Sequence, residues 1–123
     1  MMVLLDTNFI TVPEQFGIDI FTEIKKIVPQ ANIQTLSQVI DELKSLNTKA
    51  AKVGLQLLKI NKIKIIKKNG KADDLLMEVA QKEQAIIATN DKELKQRAIK
   101  KNIKIIFIRS KKKIEIIGGE KLV

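Results

Sequence analysis

Short apolar runs alternate with amphipathic stretches of helical period along nearly the whole chain, and this alternation limits the folds open to it. Met2–Leu5 is a run that stops abruptly at Asp6-Thr7-Asn8. It reads as a strand buried on both faces, with a polar loop at its carboxyl end. Residues 18–28 place Ile20, Ile24, Ile27 and Val28 at helical spacing, and Pro29 stops that helix. Residues 31–34 read as a short strand. Thr35 or Ser37 then caps a helix carrying Leu36, Val39, Ile40, Leu43 and Leu46 on one face, and a further helix covers residues 48–60. Ile63, Ile65 and Ile66 mark a strand that Asn69-Gly70 breaks, and residues 72–82 read as helix. A buried strand follows at 85–88, and Asn90 with Glu93 resembles a capping box opening a helix that runs to Lys101. Residues 103–108 form a strand, and Lys113–Ile117 a last edge strand ended by Gly118-Gly119. Strands alternating with helices build a parallel sheet covered on both faces. The expected fold is therefore a single α/β domain over residues 1–123, with a mostly parallel sheet of five strands and a C-terminal edge strand.

Composition narrows the chemistry. The chain contains no cysteine and no histidine. Disulfides, zinc-thiolate sites, thiol nucleophiles and Ser-His or Cys-His dyads are thereby excluded, and so is the usual general base. A hydrolase built from this sequence must activate water with carboxylates, lysine or a carboxylate-bound metal. The net charge is +9 and is unevenly placed: residues 1–61 sum to zero, and residues 62–123 carry all of it. A basic half suits an anionic partner, nucleic acid or a membrane surface, although lysine-rich chains also use such residues as a solvated face. Aromatic residues are 3% of the chain, so phosphate contacts rather than base stacking would have to dominate nucleic-acid binding. The N-terminal apolar run is too short for a signal peptide, and nothing approaches the ~20 apolar residues of a membrane span. A cytoplasmic location with no membrane contact is expected.

In open α/β sheets, ligands bind beyond the carboxyl ends of the strands. Asp6 ends the first strand, and Asp91 follows the strand at 85–88. A carboxylate ending a buried strand is costly unless paired, hydrogen-bonded or metal-bound. The competing readings are an Asx-turn for Asp6 and a helix-dipole partner for Asp91. Two further acids come as doublets. At about 100° per residue, Glu42 lies at the border of the apolar stripe of its helix, whereas Asp41 points to solvent. The same count on Ala72, Leu75, Leu76, Val79 and Ala80 places Asp73 at the border and Asp74 almost opposite. Flanking surface charge, or a helix cap at Asp73, is the competing reading. Four acids at one sheet edge require a compensating cation, and hard oxygen ligands suit Mg²⁺ or Mn²⁺.

These residues resemble PIN-domain nucleases over essentially the full length of the chain. The first strand with Asp6-Thr7-Asn8-Phe9, the helical Val39-Ile40-Asp41-Glu42-Leu43, the segment Gly70-Lys71-Ala72-Asp73-Asp74-Leu75-Leu76 and the stretch Ile86-Ile87-Ala88-Thr89-Asn90-Asp91-Lys92-Glu93-Leu94 occur in the family's order. The Asp73-Asp74 doublet and the stretch from Asn90 to Arg97 resemble the branch holding the small-subunit processome PIN nuclease and its compact archaeal, VapC-like relatives. The resemblance implies that Asp6, Glu42, Asp73 and Asp91 coordinate Mg²⁺ or Mn²⁺, with Asn8, Thr89 and Asp74 in support. It also implies a homodimer. Lys71 and Lys92, adjacent to proposed ligands, and Lys95 on the following helix are the expected RNA contacts.

The expected activity is metal-dependent endonucleolytic hydrolysis of RNA, rRNA or tRNA. The biological setting is either rRNA processing or a VapC-type toxin silenced by an antitoxin protein. A non-catalytic RNA-binding factor in ribosome assembly is the alternative. A receiver-type phosphoacceptor domain fits poorly, because the first strand ends in a single Asp and the strand at 63–66 runs into lysines.

Overall fold

A computed structural model describes residues 1–118; Gly119, expected to help end the last strand, lies outside them. The described residues form six strands and seven helices. The strands are β1 Met2–Leu5, β2 Asn32–Leu36, β3 Lys64–Ile66, β4 Ile86–Ala88, β5 Ile105–Arg109 and β6 Lys113–Ile117. The helices are α1 Thr7–Ile10, α2 Val12–Phe16, α3 Ile20–Ile27, α4 Ser37–Leu46, α5 Lys49–Ile60, α6 Ala72–Glu83 and α7 Lys92–Lys100.

The strands lie in the order β3-β2-β1-β4-β5-β6. The first five are parallel, and β6 pairs antiparallel with β5 at the edge, so a mostly parallel sheet with a C-terminal edge strand is what the chain forms. The order follows from two windings of opposite sense. From β1 the chain moves to β2 and then β3; it then crosses back to β4 beside β1 and continues to β5. Right-handed crossovers place α1–α5 on one face and α6 and α7 on the other. The packing agrees: α1, α2, α4 and α5 rest on one another, α6 lies across β1, β2 and β4, and α7 lies against β5.

Central strands covered on both faces have no polar side to present, which is why Val3, Leu4, Leu5, Ile86, Ile87 and Ala88 are all buried. β3 is the parallel edge strand, and its Ile65 is exposed.

Three local expectations are corrected. The segment after β1 is a short helix rather than a loop, and Asp6 is its N-cap. Thr35 does not cap α4; it belongs to β2, is fully buried, and its hydroxyl donates to the Leu5 carbonyl at 2.7 Å. Leu36, not Ser37, occupies the N-cap position, without a side-chain cap. At α7 the cap is Asp91, whose Oδ1 accepts from the Leu94 amide at 2.8 Å; Asn90 is used elsewhere. Thr35 and Asn90 are each claimed by a neighbouring strand instead of serving the cap that local spacing would assign them. No helix of the described residues is long and apolar enough to cross a membrane.

Candidate functional site

The reversal of winding falls between β1 and β4, and the crevice beyond their carboxyl ends is where open α/β sheets bind ligands. Asp6 follows β1 there; Thr89, Asn90 and Asp91 follow β4. The β1–β4 ladder continues one step beyond the strands, because the Asp6 amide donates to the Ala88 carbonyl at 2.9 Å. Glu42 comes from α4 on one face and Asp73 from the first turn of α6 on the other. All four acids line one cleft of about 380 Å³, together with Thr7, Asn8, Thr11, Gln15 and Thr48.

Each acid is held differently. Asp6 is buried, 5% exposed. Its Oδ1 accepts from the Thr7 amide at 2.8 Å and its Oδ2 from the Thr89 hydroxyl at 2.7 Å. Loss of hydration is the main effect on this group. It outweighs those two hydrogen bonds and, with the negative charges of Asp73 and Glu42, pushes the Asp6 carboxyl up from 3.8 to about 6. Glu42 is solvent-accessible, but its Oε2 accepts from the Thr7 hydroxyl at 2.6 Å, which aims the side chain into the cleft. Asp41 is exposed and outside the cleft lining. Desolvation raises Asp73, and the charges of Asp91 and Glu42 raise it further; Arg97 works in the opposite direction. Asp91 spends Oδ1 on capping α7.

Among the described residues no three carboxylates already stand at the mutual distances of a formed metal site. Like charges across one cleft repel, and Asp6, Glu42 and Asp91 are each tied to a hydrogen-bond donor. The donor set is nevertheless entirely oxygen, and the buried Asp6 carries a charge that its surroundings disfavour. That combination fits a hard divalent cation.

The supporting residues form one network. Asn8 Oδ1 accepts from the Asn90 amide at 2.9 Å and lies 3.3 Å from the Thr89 hydroxyl, whose one hydrogen has its shorter contact with Asp6. The Thr89 hydroxyl also accepts from the Asp91 amide at 3.0 Å. Asn90 Oδ1 accepts from the Ile108 amide at 2.9 Å, so it extends the ladder between β4 and β5 past the end of β4. Asn90→Ala strips the Ile108 amide of its acceptor, and a cost of about 1–2 kcal/mol is expected in urea unfolding.

Asp74 stands outside the acid cleft, in an ion pair with Arg97 at 2.7 Å. Among the expected RNA contacts, Lys71 lines an adjoining cleft with Glu42, Asp73, Asp74 and Arg97. Lys92 is exposed at the start of α7, and Lys95 instead sits over the Phe107 ring at 4.7 Å from its centre. Thr7, Asn90 and Arg97 are participants that spacing alone does not single out. Thr7 and Glu42 are thirty-five residues apart, so only the packing of α1 against α4 makes them partners. The one available signal was that Thr7 follows the first acid.

Fold and site together define a doubly wound α/β domain with a carboxylate cleft at its switch point. The chain belongs to the PIN-like domain family, whose pattern matches residues 3–111. It is 33% identical over 126 aligned positions to ribonuclease VapC4 of Methanocaldococcus jannaschii, covering 94% of this chain and 96% of that protein. Its structure is similar to that of the PIN domain endonuclease Utp24, with a TM-score of 0.81 and 30% identity over 94% of this chain and 90% of that one. VapBC2 from Rickettsia felis, solved bound to a DNA fragment from its promoter, shares the fold at a TM-score of 0.57 and 21% identity, over 78% of this chain and 92% of that one.

Proposed function

We propose that this protein is an endoribonuclease that hydrolyses RNA phosphodiester bonds with Mg²⁺ or Mn²⁺ held by Asp6, Glu42, Asp73 and Asp91. The observation that carries this reading is the buried, destabilised carboxylate of Asp6, at the switch point, in a cleft lined by three further acids. The likeness to a ribonuclease and to an endonuclease over most of each chain supports it. When bound, the metal supplies the charge that orients and acidifies the attacking water and balances charge developing on the phosphate.

The protein's own residues do the positioning. Thr7 and Thr89 hold Glu42 and Asp6 through their hydroxyls. Asn8 ties the first turn of α1 to the segment between Thr89 and Asp91, beside the first and fourth acids. Asp73 closes the cleft from the opposite face of the sheet. With no histidine in the chain, the proton leaving the attacking water would pass to a carboxylate of the cleft. The lysines of the basic half attract the polyanion.

Purified protein is expected to cut single-stranded RNA in Mn²⁺ or Mg²⁺ and to stop in EDTA. Glu42→Gln and Asp73→Asn should each lower the rate at least about tenfold. Cutting that persists in EDTA, or that survives both substitutions, would remove the mechanism. Salt-sensitive RNA binding without cleavage would favour the non-catalytic reading.

The likenesses to ribonuclease VapC4 and to the endonuclease Utp24 support two settings, a toxin-type ribonuclease with an antitoxin protein as partner and an rRNA-processing enzyme. We propose a cytoplasmic homodimer on the family's pattern. Growth arrest on induced expression, relieved by Asp6→Asn, distinguishes a toxin from a processing enzyme.

A further inference from the structure

A second cleft opens beside the first and shares Glu42 and Asp73 with it. Its remaining lining is Lys71, Ala72, Asp74 and Arg97. Arg97 reaches from α7 to the first turn of α6 and donates from Nη2 to Asp74 Oδ1 at 2.7 Å. Both side chains are about half exposed, 49% and 59%. An exposed pair of this kind contributes little to stability, and a single contact leaves most of the guanidinium donors unused. Lys71 is in no ion pair among the described residues. Taken alone the cleft is acidic. A divalent ion held by the four acids would offset half of their charge, which leaves Lys71 and Arg97 as the two cations of the second cleft, with Asp74 paired to one of them.

We infer that this second cleft is a phosphate subsite, in which Arg97 and Lys71 hold the phosphodiester next to the one being cut and Asp74 keeps Arg97 in place until the RNA arrives. The inference rests on the proposed function and specifies where the strand leaves the acid cleft. A guanidinium matches phosphate geometry in a fork that a lone carboxylate contact does not satisfy, so the incoming phosphate competes well for Arg97. A purely structural Asp74–Arg97 pair makes a different prediction, because removing either partner would then have the same effect.

The test is fluorescence anisotropy of a short single-stranded RNA in Ca²⁺ across a salt series, with the RNA checked for integrity on a gel. Arg97→Ala should weaken binding about tenfold and lower the slope of log affinity against log salt by about 0.7. Lys71→Ala should lower the slope similarly, and it guards against a folding defect peculiar to Arg97→Ala. Asp74→Asn should tighten binding, and the gain should vanish in the Asp74→Asn, Arg97→Ala double variant. Equal weakening by Asp74→Asn and Arg97→Ala, or an unchanged salt slope, would overturn the subsite and leave the nuclease reading standing. Wild-type protein that fails to bind RNA at any salt would overturn both.

Discussion

Asp6→Asn is expected to stabilise the metal-free protein at pH 7 by about 2–3 kcal/mol while abolishing RNA cleavage. The two effects have one cause. Burial raises the Asp6 carboxyl from 3.8 to about 6 in the folded chain. Between those values the folded state binds more protons than the unfolded state, so stability falls as pH rises through the window and levels off above it. The asparagine carries no charge to desolvate. Its amide oxygen can still accept from the Thr7 amide, and its NH₂ can donate to Thr89. Urea unfolding in EDTA should therefore show a gap between variant and wild type at pH 7 that closes as pH falls toward 4. A gap independent of pH would mean that desolvation of Asp6 is not its origin. On the catalytic side, losing even an outer partner of a metal costs about 10–100-fold, so losing a direct ligand should cost about 100-fold or more. Mn²⁺ should raise the melting temperature of the wild type and leave that of Asp6→Asn nearly unchanged.

Gly54→Val should cost about 3 kcal/mol or more, a large share of the roughly 5–15 kcal/mol that holds a small domain together. Gly54 lies in the middle of α5, where glycine ordinarily weakens a helix. A Cβ there would lie 2.7 Å from the Ile10 Cγ2 and 2.8 Å from the Ile10 carbonyl oxygen. Ile10 is 1% exposed and ends α1, so neither atom has room to retreat. Gly54→Ala gains about 1 kcal/mol of helix propensity and loses about 1–3 kcal/mol to overlap, giving a smaller net loss. Because α1 begins directly after Asp6, the alanine variant should lose more cleavage than its stability change explains. Urea midpoints read beside cleavage rates check both statements. A Gly54→Val protein as stable as wild type would show that α5 can move away from α1 freely.

The mostly parallel sheet and its C-terminal edge strand were legible because buried strands and amphipathic helices carry different periods; that the edge strand runs antiparallel was not. Met2–Leu5 and Lys113–Ile117 are strands with the bounds expected of them. The doublets were legible for the same reason: rotation about a helix axis put Glu42 and Asp73, rather than Asp41 and Asp74, at the border of the buried face, and those two line the cleft. The segment after Asp6 was not legible. Helices α1 and α2, four and five residues long, are too short to display a period. The roles of Thr35 and Asn90 were misplaced because local spacing suggests caps, whereas the chain uses both to bind neighbouring strands.

The amino-acid sequence by itself determined the class of fold, the order of its elements and the chemistry left to a chain without histidine or cysteine, because periodicity and composition act within a few residues. The tertiary structure alone decided which side chains meet. Thr7 with Glu42, Asn8 with Asn90, Thr89 with Asp6 and Asp74 with Arg97 are separated by 35, 82, 83 and 23 residues. The pairings of Asp6 and Asn8 with Thr89 and Asn90 exist because the winding reverses between β1 and β4, which brings distant loops to one crevice and removes the hydration of the carboxylate at its floor. Thr7 with Glu42 and Asp74 with Arg97 depend on which helices pack beside each other.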